Sequence, residues 1–166
     1  MTNGGSSITE VRRLLAVLVA SKPGGRIAEI GTAFGDGALA IVSALAPDAS
    51  FVTVEPDPDR FAHARKALSG TRAEVIHARW QDVLASRAPL DLVFLDGGGP
   101  DEIVDAVPLV VDLLAPGGIL VKDDLTPGMA VDNDPLRAAL FREPRLAVVE
   151  LTVGEAMGVI IATRRR

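Results

Sequence analysis

Apolar and polar positions follow two alternating rhythms along this chain. A helical spacing comes first, with Val11, Leu14, Leu15, Leu18 and Val19 on one face. Ser7 followed by Glu10 reads as a capping box opening that helix, and Pro23-Gly24-Gly25 ends it. Short apolar runs come next: Ile27 to Ile30, Phe51 to Glu55, Ala73 to Ala78, Leu90 to Leu95 and Ile119 to Lys122. Bounded by Gly or Pro and too short for helices, they predict buried strands. Helical stretches separate them: one carrying Leu39, Ile41 and Val42, then Asp59 to Leu68, Trp80 to Ala85, and Asp101 to Leu114 with a kink at Pro108. Strand and helix in alternation call for a parallel sheet with right-handed crossovers. The end departs from that order. Arg145 to Thr152 and Met157 to Thr163 are two strands joined by Val153-Gly154-Glu155-Ala156, a hairpin. The expected fold is a three-layer α/β sandwich around a mostly parallel seven-stranded sheet that finishes in an antiparallel hairpin, as one domain over residues 1–166.

Composition narrows the classes. The 166 residues are 48% hydrophobic but only 4% aromatic, so the core must be Val, Ile, Leu and Ala. A net charge of −5 argues against a nucleic-acid surface, and Arg164-Arg165-Arg166 reads as a solvated tail. With no cysteine, disulfides and thiolate chemistry are excluded. No apolar run approaches a membrane span and no signal peptide is visible, so a soluble cytoplasmic domain is expected.

The stretch that carries chemistry is Arg26 to Ile41, RIAEIGTAFGDGALAI. A strand breaks at Gly31, passes a small-residue loop to Gly35 and Gly37, and resumes as a helix. Such a turn lets a ligand approach the backbone and presents free N–H groups. It is not the dinucleotide fingerprint G-x-G-x-x-G, and no Gly-Lys-Ser/Thr of a phosphate loop occurs. What stands is E-x-G-x-x-x-G with Glu29 at the strand end. That pattern resembles motif I of the Rossmann-like S-adenosylmethionine-dependent methyltransferases, and EIGTAFGDGALAI is most similar to the catechol and caffeoyl-CoA type O-methyltransferases. The terminal hairpin is a second resemblance to that family, covering nearly the whole chain.

In an open parallel sheet the ligand sits beyond the carboxyl ends of the strands. Glu55 ends the second strand, where a carboxylate can accept hydrogen bonds from both ribose hydroxyls; nicotinamide dinucleotides use an acid here too, so Glu55 says nucleoside without naming the ligand. The resemblance implies cofactor contacts from Glu29, Gly31, Thr32, Ala33, Gly35, Glu55, Pro56 and Asp96. It also places adenine beside Arg79-Trp80-Gln81-Asp82, with Asp82 or Gln81 accepting from the adenine amino group. The lone Trp80 is equally readable as a packing residue.

The fourth strand separates methyltransferase types. No Asn/Asp-Pro-Pro-aromatic run is present for base amino groups, and no cysteine nucleophile for base carbons. FLDGGG resembles the metal-dependent O-methyltransferases, whose remaining ligands follow P-G-G after the fifth strand. Here Pro116-Gly117-Gly118 leads to Lys122-Asp123-Asp124. The resemblance therefore implies Asp96, Asp123 and Asp124 as a Mg²⁺ site, with Asp96 and Asp123 acting on the substrate hydroxyl. Adjacent residues of a strand point to opposite faces, so the pair can share one ion only if the strand ends at Lys122. Gly99 stands where that family has a lysine, and the family's extra N-terminal helices are not matched. The residues 124–135, DLTPGMAVDNDP, read as a mobile loop over the substrate.

The sequence thus points to an S-adenosylmethionine-dependent methyltransferase acting on a hydroxyl of a small molecule, with Mg²⁺ assistance open, no nucleic-acid or membrane partner, and room for a homodimer. The alternative is a non-catalytic or regulatory nucleoside-binding domain that keeps the cofactor pocket. A nicotinamide-dependent oxidoreductase ranks below both.

Overall fold

The computed structural model describes residues 7–97 and 104–166. A seven-stranded sheet runs in the order β3-β2-β1-β4-β5-β7-β6, parallel through β5 and antiparallel beyond it. Its strands are β1 (Arg26–Ile30), β2 (Ser50–Val54), β3 (Glu74–Ile76), β4 (Leu90–Leu95), β5 (Leu114–Leu125), β6 (Leu146–Val153) and β7 (Met157–Arg164). The helices are α1 (Thr9–Ala20), α2 (Asp36–Ala44), α3 (Pro58–Ala67), α4 (Trp80–Val83), α5 (Val107–Leu113) and α6 (Pro135–Arg142). This is the Rossmann-like sandwich and terminal hairpin that the pattern predicts.

The apolar runs are buried for the expected reason: both faces of the sheet are covered. One core layer holds Val93, Leu95, Val110, Leu120 and Leu140. The other holds Val11, Leu15, Ile41, Phe51 and Phe94. Register then fixes the site. Ile30 pairs with both Val54 and Leu95, and Leu95 pairs with Lys122. The next residues, Gly31, Glu55, Asp96 and Asp123, therefore emerge level with one another.

Several local expectations are corrected. No capping box forms: the N-cap is Ile8 without a side-chain bond, and the buried Ser7 hydroxyl has no partner. Helical Val104 is separated from α5 by a turn at Asp105 and Ala106, so the expected helix is interrupted just ahead of Pro108, which lies in the first turn of the new segment where a missing N–H is harmless. The start of the predicted helix at Asp101 lies outside the described residues, as do Gly98 and Gly99. The fifth strand extends from Leu114 to Leu125, with a register break between Lys122 and Leu125. The helix α6 has no counterpart in the sequence reading. Its N-cap Asp134 accepts from the N–H groups of Leu136 and Arg137, ahead of Pro135 in the first turn.

The basic tail is corrected too. Arg164 is the last residue of β7 and donates to the carbonyls of Val111 and Leu114 at the end of α5. The Arg165 side chain donates to the Leu146 carbonyl. Only Arg166 remains as tail. No helix among the described residues is long and apolar enough to cross a membrane.

Candidate functional site

The turn after β1 is built on bare backbone. Gly31 has φ +88°, and a Cβ there would lie 2.5 Å from Gly97 N; a Cβ on Gly97 would lie 2.6 Å from Gly31 Cα. Two turns from neighbouring strands thus touch without side chains. Asp96 N–H and Gly97 N–H both donate to the Ile30 carbonyl, at 3.0 and 2.6 Å. Gly35, with φ 96°, is the N-cap of α2.

Between these glycines, Ala33 adopts φ 45°. A non-glycine residue there persists only where its surroundings enforce it. Glu55 does so: its Oε2 accepts from Ala33 N–H at 2.9 Å, while Oε1 accepts from Asp57 N–H at 3.0 Å. Each oxygen keeps a second lone pair for a ligand. Asp57 in turn caps α3, accepting from the N–H groups of Asp59 and Arg60. Pro56 is exposed, and its carbonyl accepts from His77 Nε2 at 3.1 Å.

Beneath the turn lies Glu29, fully buried. Its Oε2 accepts from the Thr53 hydroxyl at 2.6 Å, and Thr53 is joined to the Thr32 hydroxyl at 2.6 Å. Glu29 Oε1 has no partner. It sits where a Cβ on Gly37 would fall, 2.6 Å away, which is why α2 needs glycine at that place. Burial above all, then the charges of Asp96, Asp123 and Glu55, holds its carboxyl well above the usual range, against the Thr53 hydrogen bond.

Asp96, Asp123 and Asp124 come together: one oxygen from each lies within 4.8 Å of the others. The strand does not end at Lys122 to allow this. Instead β5 breaks register, and Asp124 turns into the left-handed region at φ 58°, so two adjacent carboxylates share one side. Asp123 is buried and neither oxygen has a hydrogen-bond partner. Burial first, then the Asp96 charge, raises its pKa to about 7; burial likewise raises Asp96 to about 6, opposed by Lys122. Lys122 is itself buried, with Nζ 4.0 Å from Asp123 Oδ1. Two partnerless buried oxygens of Asp123, converging with the half-buried Asp96 and the exposed Asp124, fit a hard divalent cation.

The adenine expectation fares differently. Trp80 packs against the core, and with Gln81 it lines a half-open cavity of about 230 Å³ whose other side is lined by Leu109 and Leu113 of α5. Asp82 is exposed. Thus Glu29, Gly31, Thr32, Ala33, Gly35, Glu55 and Asp96 gather around the β1 turn, and Asp123 and Asp124 join Asp96, whereas Trp80 and Gln81 face the α4–α5 cavity. Sequence reasoning missed Thr53, whose hydroxyl contacts both Glu29 and Thr32. A threonine inside an otherwise apolar run was the available signal.

The stretch 124–135, expected to be a mobile loop, contains regular structure. It contains a short turn of 3₁₀ helix at Val131–Asn133. Both of its ends are held by Arg137, which donates to the Thr126 carbonyl and to Asp134.

With this geometry in view, comparison with known proteins is decisive. Residues 28–125 match a family described as methyltransferase domain. This chain belongs to that family. The matched span runs from β1 to the end of β5 and so contains the Gly-rich turn, Glu55 and all three clustered aspartates. A provisionally named O-methyltransferase of Mycobacterium avium (strain 104) is 33% identical over 129 residues, covering 71% of this chain and 56% of the relative. The methyltransferase domain thus spans little more than half the length of the curated relatives it matches. Among solved structures, the O-methyltransferase TomG of Streptomyces achromogenes, in complex with SAM, is 26% identical with a TM-score of 0.83, covering 99% of this chain and 83% of that one. An O-methyltransferase of Bacillus cereus in complex with SAH shares the fold, with a TM-score of 0.82 at 24% identity over 98% of this chain and 84% of its own.

Proposed function

We propose that this methyltransferase domain transfers a methyl group from S-adenosylmethionine to a hydroxyl of a small cytoplasmic molecule, with a divalent cation held by Asp96, Asp123 and Asp124. One observation carries the reading: Asp96 belongs to both halves of the site. It immediately precedes Gly97, which touches the Gly31 turn, and it shares the acidic pocket with Asp123 and Asp124. The names of the relatives support the same chemistry.

When bound, S-adenosylmethionine supplies a methyl on positively charged sulfur and the cation supplies charge that lowers a hydroxyl pKa. The chain does the positioning. Glu55 offers one lone pair on each oxygen to ribose hydroxyls while holding the turn with the others. Gly31 and Gly97 leave a slot that a side chain would fill. Glu29 Oε1 is the buried acceptor beneath the turn, available to a cationic amino group. Asp96 and Asp123 would face the reacting oxygen, one of them accepting the hydroxyl proton as the new C–O bond forms and the C–S bond breaks. The exposed Pro56 and the N-terminus of α4 would take the adenine, with Trp80 packing behind them. Exposed Val149 and Leu151 on the edge strand β6 offer an apolar strip to a second copy.

A second reading has its own observation. Lys122 already brings a positive charge to Asp123, so the pocket can also work without metal. Thermal unfolding separates the readings, using S-adenosylhomocysteine, NAD as control, and each with Mg²⁺ or EDTA. A ligand at a hundred times its Kd adds about 2.7 kcal/mol, or roughly 5–10 °C here. Stabilisation by S-adenosylhomocysteine, increased by Mg²⁺, is the expected result. The same stabilisation in EDTA selects the Lys122 reading, and a larger response to NAD overturns the cofactor assignment.

A further inference from the structure

Among the described residues, Arg137 is the largest wholly buried side chain. Its guanidinium donates to both oxygens of Glu150 on β6, at 2.8 and 2.9 Å, and to Asp134 Oδ2 at 2.8 Å. Its remaining contact is not with a side chain: Nη2 donates to the carbonyl of Thr126. Thr126 follows the acidic pair by two positions.

That contact meets a backbone anomaly. Among the described residues, two non-glycine residues have positive φ, Ala33 and Asp124. A residue in that region relaxes unless its neighbours over-determine it. Ala33 is held by Glu55. For Asp124 the constraint comes from downstream. Leu125 is fixed opposite Gly158 of β7, and Thr126 is fixed by Arg137. Gly158 belongs to the same device: a Cβ there would lie 2.9 Å from both Glu150 Oε1 and the Leu125 carbonyl. Its bare backbone lets Glu150 reach the guanidinium while β5 stays paired.

We propose that Arg137 is a positioning residue for the acidic pocket: by fixing the Thr126 carbonyl it keeps Asp124 in the left-handed conformation that places its carboxylate beside Asp96 and Asp123. What the pocket binds rests on the metal reading above; the backbone constraint does not. Buried ion pairs rarely add stability over an apolar pair of similar size, so a clamp of this kind serves to select one backbone path.

The test compares two backgrounds, the natural protein and the double variant Arg137→Met with Glu150→Leu, which replaces the pair by apolar side chains. In each, Asp124→Gly and Asp124→Ala are made. Both remove the same carboxylate, so the difference between them reports the backbone alone. With Arg137 present, Asp124→Gly melts above Asp124→Ala by about 2–4 °C, and in the double variant the gap closes. An equal gap in both backgrounds overturns the proposal. Mn²⁺ titration gives the second readout. The double variant binds Mn²⁺ about tenfold more weakly while its S-adenosylhomocysteine affinity is unchanged; undiminished Mn²⁺ affinity counts against Arg137. Natural protein that takes up no Mn²⁺ overturns the metal reading instead, and the Gly–Ala gap then decides Arg137 by itself. If the double variant does not fold, Arg137→Lys carries the same two readouts, because an ammonium keeps the charge but cannot fork.

Discussion

Gly31 and Gly97 meet through their main chains: a Cβ on either would lie no more than 2.6 Å from the other's backbone, far inside van der Waals contact. This contact draws the ends of β1 and β4 together and leaves the opening of the proposed cofactor slot free of side chains. Gly97, unlike Gly31, has no positive φ, so its replacement tests space without backbone strain. Gly97→Ala is expected to destabilise by about 1–3 kcal/mol, lowering Tm by about 2–4 °C for each, as overpacked sites do. Calorimetric titration should show S-adenosylhomocysteine binding weakened by about tenfold or more at temperatures where the variant is folded. Parent-like affinity would place the ligand elsewhere.

Glu55 accepts a main-chain N–H on each carboxylate oxygen, from Ala33 and from Asp57. An amide has one acceptor and one donor end. Glu55→Gln must therefore set an NH₂ against one of those N–H groups, and it also loses half of what a ribose would meet. A lost charge-assisted hydrogen bond is worth about 1.5–3 kcal/mol. Nucleoside affinity should fall by roughly 10- to 150-fold, with Glu55→Ala no better. Retained affinity in Glu55→Gln would show that the acid only shapes the turn.

How far this was legible in the sequence depends on how local each feature is. The strand ends were, because apolar runs stop where Gly, Pro or an acid begins, and register then aligns Gly31, Glu55, Asp96 and Asp123 without further information. The convergence of Asp123 with Asp124 was not. Strict alternation sends neighbours to opposite faces, and only the register break with its left-handed Asp124 reverses that. The helix α6 left a readable sign in Asp134-Pro135 with Leu136 and Leu140, but the preceding Pro and Gly made the whole stretch look like loop. The Arg137–Glu150 pair lies on different elements 13 residues apart, and nothing in local pattern joins such charges. At the other end, Ser7 and Glu10 fit a capping pattern, yet the Ser7 hydroxyl is buried without a partner.

The acidic pocket makes stability depend on pH in a definite direction. Burial raises Asp96 to about 6 and Asp123 to about 7, against an ordinary value of 3.8. A carboxyl whose folded pKa is raised gives stability that is complete below its unfolded pKa and lost as pH climbs through the folded one. Without metal, the unfolding free energy should decline between pH 4 and pH 8, by on the order of 3 kcal/mol once the coupling of the two groups is allowed for. Asp123→Asn should reduce that decline, chiefly at its upper end between pH 6 and pH 7, leaving the part that Asp96 and Glu29 supply, and millimolar Mg²⁺ should reverse it if the cation binds. Urea unfolding at closely spaced pH values measures this. A flat profile in EDTA would mean that these carboxyls are not desolvated.

Glu29 should separate stability from binding in a single variant. It is buried, one oxygen is bonded to Thr53 and the other has no partner. Desolvation is the largest influence on it and disfavours its charged form. Glu29→Gln removes the charge, and the amide oxygen can still accept from Thr53. The same sign rule applies: the penalty from the charge is absent at low pH and grows as pH rises. The variant should therefore match the parent near pH 5 and exceed it at pH 8, by about 1 kcal/mol after the amide's own unpaired N–H is counted. Binding should move the other way. If Glu29 Oε1 receives a cationic amino group of the cofactor, an NH₂ at that place faces a donor with a donor. S-adenosylhomocysteine affinity should then drop by roughly tenfold or more, while adenosine, which lacks the amino acid portion, should bind variant and parent alike. Equal losses for both ligands would mean that Glu29 acts by holding the turn, and would remove it from the proposed contact with the amino group.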